Sequence, residues 1–402
     1  MPFSFLCIAT YFKGNEFLKS CKEAGNTVYL LTEKKLEHKP WLRSHIDELF
    51  FVETPDQGVL DLNETAKGLA YVLRSRKIDR IVALDDFDVE KGAFFRETFR
   101  LPGMGQTVAR YFRDKLAMRM KAAEAGLRVP TFSALFNDAE VNAFADSVTF
   151  PVVVKPRGEA STAGIRKVWN KDELWQVIHS LGDRRHEFLV EQFKPGHVYH
   201  VDALTYQGKV LFNWVSQYLS TPMEVAHGGG VFRSVTTPFG SAEERALRTF
   251  NEKLLTAFGL EYSASHSEFI QCHEDGEFYF LETASRVGGA HLAEMVEAAS
   301  GINLWREWAR IETATVEGTP YELPELKPAY SGIIISLARE QWPDLSEYVA
   351  PEIGWRMQEE YHVGLIVQSE NRDRILELLD QYTTKIYAEV HASAPVRDTP
   401  SH

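Results

Sequence analysis

Two glutamates, Glu268 and Glu282, lie at nearly equal distances on either side of a predicted turn. The turn at 273–276 contains Asp-Gly between two apolar runs, which is typical of a β-hairpin. If the loop has an odd number of residues, the two side chains face each other with carbons about 5 Å apart. Like charges repel at that distance, so the pair predicts a cation between them, and Mg²⁺ binds one or two carboxylates together with substrate phosphates. A different register would turn Glu282 to the other face of the sheet.

Two lysines are candidates for binding an anion. Three valines precede Lys155 in the segment 151–156, and the proline after it restricts its backbone. Burying an ammonium there is costly unless an anion or an acid receives it, although a lysine that reaches solvent from an edge strand has the same pattern. Lys115 lies in a pattern that predicts one helix over 105–126, where a solvated lysine is the ordinary alternative.

Two segments rich in small residues could approach a phosphate group or a substrate. The first, at 157–169, could present backbone N–H groups to phosphate oxygens, or it is an ordinary hairpin loop. The second, at 227–238, has three glycines beside His227 and Arg233 and predicts a mobile loop, with a long turn as the alternative. The candidate residues of the first segment are Ser161, Thr162 and Gly164.

The elements before these segments alternate between strand and helix. Short apolar runs at 5–10, 27–32, 48–54 and 79–86 are separated by helical patterns, which predicts a parallel doubly wound sheet. The first strand-to-helix turn lacks GxGxxG, which argues against a dinucleotide-binding domain. Asp85 and Asp86 end one of the strands; ligands gather at such ends, but a helix cap is the favoured interpretation.

Composition excludes several classes of protein. The chain has 402 residues, which allows two or three packed units, and its hydrophobic and charged contents of 44% and 25% are typical of a soluble globular protein. The net charge of −13 argues against a nucleic-acid surface, and no apolar run is long enough to span a membrane. Three separated cysteines and a start without a signal-peptide pattern predict a protein of the cytoplasm.

Six features occur in one order along the chain. They are Lys115, PVVVKP with Lys155, the small-residue loop to Gly164, VEQF with Glu191, HSEF with Glu268, and FLETASR with Glu282 and Arg286. In this order and spacing, over roughly 110–310, the chain resembles the ATP-grasp superfamily, which includes carboxylate–amine ligases, biotin carboxylase and D-alanine–D-alanine ligase. The resemblance implies an N-terminal α/β domain at 1–108 and an ATP-grasp domain at 109–315, with a small lobe at about 130–192 and a catalytic lobe at about 193–315. A small α/β subdomain at 316–395 and a disordered tail at 396–402 complete the expected organisation.

The resemblance also implies a role for each candidate residue. The two lysines would contact ATP phosphates, Glu191 would accept the adenine amino group, and the backbone of Gln192 and Phe193 would bind the ring edge. Glu268 and Glu282 would hold Mg²⁺, with Mn²⁺ as a substitute. Arg286 would stabilise the transferred phosphoryl group or an acyl phosphate. The remaining expected contacts, for phosphate, carboxylate or substrate, are Arg233, Ser161, Thr162, Gly164, His227, Gly288 and Gly289.

Two positions depart from the family pattern. Ala284 stands where the family has an asparagine ligand, so a second metal ion lacks one protein ligand. The family's ribose-binding glutamate is replaced by the segment 197–200. The expected function is an ATP-dependent carboxylate–amine ligase that works through an acyl phosphate on small-molecule substrates, with a homodimer as a further expectation. The alternatives are a bicarbonate-activating carboxylase and a nucleotide-binding protein without turnover.

Overall fold

The computed structural model describes residues 2–54, 60–159 and 164–393, and for 226–228 it describes the backbone only. Its first sheet is parallel, and the predicted doubly wound arrangement is confirmed. One of its two inner strands, at 4–9, is buried along its whole length, because its alternate side chains pack against helices on opposite faces of the sheet. The elements of this part are β1 (Ser4–Ala9), α1 (Asn15–Glu23), β2 (Thr27–Glu33), β3 (Glu48–Val52), α2 (Leu62–Val72), β4 (Arg80–Ala83) and α3 (Val89–Phe99), with strand order β3-β2-β1-β4.

The helix predicted over 105–126 is two helices, so that prediction is wrong. They are α4 (Gln106–Arg110) and α5 (Lys115–Glu124). The second helix starts after Asp114. The side chain of Asp114 accepts a hydrogen bond from the backbone N–H of Leu116 at 3.0 Å and also pairs with Arg157. An aspartate in this position caps the start of a helix. Lys115 is therefore the first residue of α5, and its backbone N–H donates to the carbonyl of Arg157 at 2.9 Å.

The second sheet is antiparallel and carries its two helices on one face. The side chains of Val152 and Val154 pack against those helices. Because side chains alternate along a strand, Val153 and Lys155 lie on the opposite face, away from the two helices. Val153 pairs there with Glu191 of the neighbouring strand. The elements are β5 (Phe132–Ala134), α6 (Asp138–Ser147), β6 (Val152–Pro156), β7 (Arg166–Val168), α7 (Lys171–Leu181) and β8 (Phe188–Gln192), with strand order β5-β8-β6-β7.

The third sheet has eight strands, and it crosses the boundary predicted at 315/316. The strands from the predicted C-terminal subdomain extend the same sheet, in the order β13-β12-β9-β10-β11-β14-β16-β15. The predicted domain limits stay predictions. The elements are β9 (Gly196–Tyr206), β10 (Lys209–Tyr218), α8 (Pro222–Gly228), β11 (Phe232–Thr236), α9 (Ala242–Phe258), β12 (Tyr262–Cys272), β13 (Phe278–Ala284), α10 (Leu292–Ser300), α11 (Leu304–Glu317), β14 (Tyr330–Leu337), β15 (Ile353–Arg356), β16 (His362–Ser369) and α12 (Arg372–Glu389).

Around the Glu268–Glu282 pair, the two faces of this third sheet differ in chemistry. One face carries aromatic and aliphatic side chains, among them Tyr199, Phe269 and Phe280, which pack against α5 and α9; we call it the packing face. The other carries Glu268, Glu282 and the polar side chains beside them, and we call it the site face. None of the helices within the described ranges combines the length and apolar composition that a membrane span requires.

Candidate functional site

The two glutamates are directly paired across the hairpin, so the prediction that they share one face is confirmed. Glu268 of β12 pairs with Glu282 of β13. The reason differs from the one expected, because the loop between the paired residues Gln271 and Phe278 holds an even number of residues (272–277). That loop alone would place Glu282 on the packing face. A bulge between the Phe269–Phe280 pair and the glutamate pair restores the alignment.

A buried arginine bonds the carbonyl of the extra residue in that bulge. The extra residue is Leu281, and Nη1 of Arg119 donates to its carbonyl oxygen at 2.5 Å. Arg119 is completely buried, and its Nε donates to Glu191 at 2.8 Å. The same guanidinium therefore contacts both the strand that carries Glu282 and an acid of the second sheet. Sequence reasoning missed Arg119, although it lies one helical turn after Lys115 in α5.

The acids and the lysines line one cavity between the second and third sheets. Its volume is about 380 Å³, and its walls include Lys115, Lys155, Glu191, Glu268 and Glu282. The prediction that these side chains come together is thereby supported by their positions. Apolar side chains from both sheets form the rest of the wall, which suits a flat ring bound beside charged groups. Those apolar residues include Val153, Ile165, Val198, Ile270 and Leu281.

Each lysine is held by an acid. Nζ of Lys115 lies 2.9 Å from Oε2 of Glu282 and donates to the carbonyl of Glu159 at 2.6 Å. Burial raises the pKa of Glu282, but the neighbouring ammonium groups together outweigh it and hold the pKa below its ordinary value. Lys155 pairs with Glu191. Burial lowers the pKa of Lys155 to about 8, although Glu191 opposes the shift.

The residues expected to bind the adenine ring have partners within the protein. The backbone N–H of Gln192 donates to Thr131 at 2.8 Å, and that of Phe193 donates to Pro151 at 3.2 Å. Both oxygens of Glu191 accept bonds from the cations described above. All three residues line the cavity, and these two N–H groups are bonded within the protein; the expected backbone contact with the ring edge stays a prediction. The expected adenine contact of Glu191 stays a prediction.

Of the small-residue loop, only part lies within the structure. Ser161 and Thr162 fall outside the described residues. Gly164 has a φ of +70°, and a Cβ there would lie 2.8 Å from Cγ of Pro156. Its backbone conformation therefore favours glycine and lets the chain turn tightly beside β6.

A second cavity of about 340 Å³ adjoins the first, and both are lined by Lys115, Glu268 and Glu282. Arg286 lines it and pairs with Asp86, which comes from the turn after β4 of the parallel sheet.

The favoured interpretation of the two aspartates, as helix caps, is right for one of them. Asp85 accepts a hydrogen bond from the N–H of Phe87 at 2.9 Å as a cap, whereas Asp86 pairs with Arg286. Burial raises the pKa of Asp86, but Arg286 and other nearby cations outweigh it, and the net pKa is lowered.

Small residues and apolar side chains complete the second cavity. Gly289 and Ala284 line it, whereas Gly288 is not among its lining residues and packs against Asp202, since a Cβ there would be 2.9 Å from Oδ1 of that residue. Among the described residues, neither Nε of Arg286 nor Oδ1 of Asp86 has a hydrogen-bond partner, although both atoms are buried. Such atoms are costly unless a ligand binds them. The apolar part of the lining is Phe112, Met118, Val225, Phe232 and Leu292.

The segment predicted as a mobile loop, 227–238, begins with the last two residues of α8 and contains the strand β11, so the prediction of a loop over its whole length is wrong. Helix α8 starts with a capping box, in which Thr221 and Glu224 bond each other's backbone. His227 lies in α8, and its side chain is outside the described part. Arg233 lies on the packing side of β11, where its guanidinium pairs with Asp380 of α12 at 2.7 Å. The structure therefore does not bring Arg233 to either cavity, because its strand neighbours, not Arg233 itself, point to the site face.

A buried polar cluster lies on the site face next to Glu268. It contains His200, Asp202 and His266, whose potential ligand atoms lie within 4.8 Å of one another. The imidazole-to-carboxylate distances of 2.7 and 2.9 Å are those of direct hydrogen bonds. Sequence reasoning left these residues without a role, although the spacing of two residues between His200 and Asp202, and between His266 and Glu268, places each pair on one face.

The two paired carboxylates form a donor set that fits a divalent cation. Both are oxygen ligands on one face, and both line a cavity that also holds two lysines. Mg²⁺ prefers such a set, with one or two carboxylates and the rest of its ligands from phosphate and water. Ala284 offers no ligand atom, as the sequence indicated.

Several known ligases resemble this chain in sequence. The D-ala D-ala ligase C-terminus family matches residues 122–213. An L-arginine-specific L-amino acid ligase of Bacillus subtilis is 23% identical over 299 residues, which are 72% of this chain and 70% of that protein. A D-alanine–D-alanine ligase of Neisseria gonorrhoeae is 24% identical over 204 residues, which are 50% of this chain and 66% of that protein.

Solved structures match nearly the whole chain. The crystal structure of an L-amino acid ligase from Bacillus licheniformis has a TM-score of 0.73 and 18% identity, and the match covers 97% of this chain and 98% of that one. An N5-carboxyaminoimidazole synthetase from Staphylococcus aureus has a TM-score of 0.68 and 14% identity, covering 95% and 97%. At these identities the likeness shows the fold.

Proposed function

We propose that this chain, which belongs to the ATP-grasp superfamily, is a ligase that uses ATP to join a carboxylate to an amine. The observation that carries the proposal is the pairing of Glu268 with Glu282 in a cavity that also contains Lys115 and Lys155. Two acids and two lysines in one cavity match the charges of a metal–triphosphate complex.

The ion pairs within the cavity support a site that exchanges partners when nucleotide binds. Lys115 is paired with Glu282, and Lys155 with Glu191. A phosphate chain would bind the two ammonium groups, and a cation would bind the released carboxylate of Glu282. Each protein charge would then keep a partner of opposite sign, which avoids the cost of an unpaired buried charge. A bound Mg²⁺ would supply charge neutralisation at the phosphate oxygens.

The adjoining cavity suits the carboxylate and the amine. In the proposed reaction, an oxygen of the substrate carboxylate attacks the γ-phosphorus of ATP, the bond to ADP breaks, and an acyl phosphate forms. The amine nitrogen then attacks the acyl carbon, phosphate leaves, and the nitrogen loses a proton as the amide forms. Arg286 lies where it could bind the carboxylate or the phosphoryl group, and Asp86 could bind an ammonium. Holding the reactants close together is the main contribution of such a site.

We infer that at least one substrate is an amino acid. Arg286 and Asp86 give the second cavity a cation and an anion beside an apolar wall, which are the three features that an α-amino acid presents in complementary form. The names of the matched ligases, which include L-amino acid and D-alanine ligases, support the same substrate class.

The experiment is an ADP-release assay with Mg²⁺, ATP and each pair of the common amino acids, with product mass measured in parallel. The proposal predicts ADP release that depends on two substrates and a product whose mass is the sum of the two minus one water. Bicarbonate-dependent ADP release without an amine would favour the carboxylase alternative. ADP binding without turnover in any mixture would favour a nucleotide-binding protein.

The cysteines bear on the compartment in which the protein functions. The three cysteines, Cys7, Cys21 and Cys272, are buried free thiols. This supports the proposal that the protein functions in a reducing compartment such as the cytoplasm. Use of Mn²⁺ in place of Mg²⁺ and assembly as a homodimer stay predictions.

A further inference from the structure

The polar cluster beside Glu268 is buried in the sheet that carries the proposed metal ligands. On neighbouring strands, Glu268 pairs with His200 and His266 pairs with Asp202. Tyr218 lies on the next strand, and its ring packs against His200 with centroids 4.7 Å apart. His200 and Asp202 are completely buried. A cluster of this polarity in a sheet interior needs every group to be hydrogen-bonded, since an unpaired member is costly.

The hydrogen bonds form one continuous chain. His200 donates from Nδ1 to Oδ2 of Asp202 at 2.7 Å, and His266 donates from Nδ1 to Oδ1 of the same carboxylate at 2.9 Å. On its other side, His200 contacts Oγ of Ser234 at 2.7 Å. Asp202 therefore fixes the orientation of both rings, in the way that a carboxylate fixes a metal-binding histidine.

The far end of the chain reaches one oxygen of Glu268. The hydroxyl of Tyr218 donates to Oε1 at 2.9 Å, and Nε2 of His266 lies 3.6 Å from the same oxygen. The ring of His266 thus lies between the carboxylates of Asp202 and Glu268, and Oε1 of Glu268 is approached by both the Tyr218 hydroxyl and the His266 ring.

We propose that Tyr218 and His266 are positioning residues that hold one carboxylate oxygen of Glu268, so that its other oxygen faces the bound metal ion. This inference rests on the proposed function, because it assigns Glu268 to the metal. A carboxylate that is oriented before the metal arrives loses less rotational freedom on binding, and outer hydrogen bonds of this kind are worth about 10–100-fold in metal affinity.

The close approach of the glycine loop limits the space around the cluster. A Cβ at Gly288 would lie 2.9 Å from Oδ1 of Asp202 and 3.0 Å from Nδ1 of His266. Those atoms belong to the chain's central hydrogen bond. Gly288 therefore packs its backbone directly on that bond, and the expected role of this glycine is to cover the cluster and not to contact substrate.

The test compares Tyr218→Phe with Tyr199→Phe. Both tyrosines have 5% exposure and lie on neighbouring strands, but Tyr199 is on the packing face, where its hydroxyl bonds Gln271 at 3.4 Å. We measure Mn²⁺ affinity by the loss of the free-ion electron-spin-resonance signal, with ADP present at a saturating concentration. We expect Tyr218→Phe to weaken Mn²⁺ binding by about tenfold or more, and Tyr199→Phe to change it less than about twofold.

A second pair of measurements keeps the result independent of folding and of turnover. His266→Gln removes the imidazole ring that lies between Asp202 and Glu268 and keeps a hydrogen-bonding side chain, and it should raise the Mg²⁺ concentration for half-maximal ADP release more than it lowers the rate at saturating Mg²⁺. Thermal melting checks the fold of each variant; if His266→Gln does not fold, Tyr218→Phe carries the test. Wild-type Mn²⁺ affinity in Tyr218→Phe would overturn the positioning role. If the wild type releases no ADP with any substrate pair, the ligase proposal fails, while the Mn²⁺ titration still decides the inference.

Discussion

Around the Glu268–Glu282 pair, the site face and the packing face of the eight-stranded sheet are built from the same strands but differ in chemistry. Glu268 and Phe269 are neighbours in sequence; one lines both cavities, and the other is completely buried among aromatic rings. The alternation of a β-strand is the cause. The comparison teaches that function and stability depend on different side chains here, because neighbouring residues of a strand point to opposite faces. Substitutions one residue apart should therefore affect different properties.

The largest effect is expected on the site face. Glu282→Gln keeps the shape of the side chain but removes the charge that pairs with Lys115 and is proposed to bind the metal. Groups that neutralise charge in phosphoryl transfer are worth about 10³–10⁵ in rate, so ADP formation should fall by at least about 10³-fold. Circular dichroism and the melting temperature should stay near those of the wild type. Retention of most of the activity would count against the metal role of this acid.

The packing face should respond in the opposite way. Phe269 packs against Phe250, with ring centroids 5.0 Å apart, and is fully buried. Phe269→Ala should lower the free energy of unfolding by about 3–5 kcal/mol, measured by denaturant titration. The rate per folded molecule should remain within about twofold. A large loss of rate in a variant that is still fully folded would show that the two faces are not separable.

The second sheet shows the same alternation between a packed and a cavity-facing side chain, and its cavity-facing lysine leads to a prediction about pH dependence. Val154 packs on helices, whereas Lys155 faces the cavity, beside Glu191, Arg119 and Lys115, with a pKa of about 8. Phosphate binding favours the ammonium form, so nucleotide affinity should be constant below pH 8. It should then fall by up to about tenfold per pH unit above that value. Calorimetric titration with ADP checks this, and Lys155→Arg should show a flatter profile, because guanidinium stays charged. The same fall in Lys155→Arg would assign the pH dependence to another group.

The smallest effect is expected at Arg233, which the sequence placed in the site. Its ion pair is with Asp380, whose side chain is 75% exposed. Exposed pairs contribute about 0–1 kcal/mol, so Arg233→Ala should change stability by no more than that and leave the rate unchanged. Arg286→Ala is the matched comparison and should reduce the rate strongly. Equal losses of rate in the two variants would contradict the assignment of faces.

The sequence predicted the parallel sheet, because that arrangement depends on local periodicity, and it also predicted the shared face of the two glutamates. It did not predict the bulge at Leu281, without which the even loop would turn Glu282 away. A bulge depends on contacts from elsewhere, and here the carbonyl of that residue accepts a bond from Arg119. The correct placement of the pair thus depended on a feature that the local pattern does not contain.

The errors have a similar origin. The helix over 105–126 breaks at Asp114, which is bonded to Arg157 across 43 residues of sequence. The glycines at 228–230 indicated a mobile loop, yet the strand after them is fixed by pairing with β10 and β14. Which face Arg233 occupies follows from that pairing. Contacts between residues distant in sequence decided each of these points.

The most direct test of the central claim is a crystal of the protein grown with ADP and Mn²⁺, with anomalous scattering used to locate the metal. The account predicts a Mn²⁺ peak within bonding distance of carboxylate oxygens of both Glu268 and Glu282, with the ADP phosphates beside Lys115 and Lys155. A nucleotide bound elsewhere, or a Mn²⁺ peak that contacts neither glutamate, would contradict it.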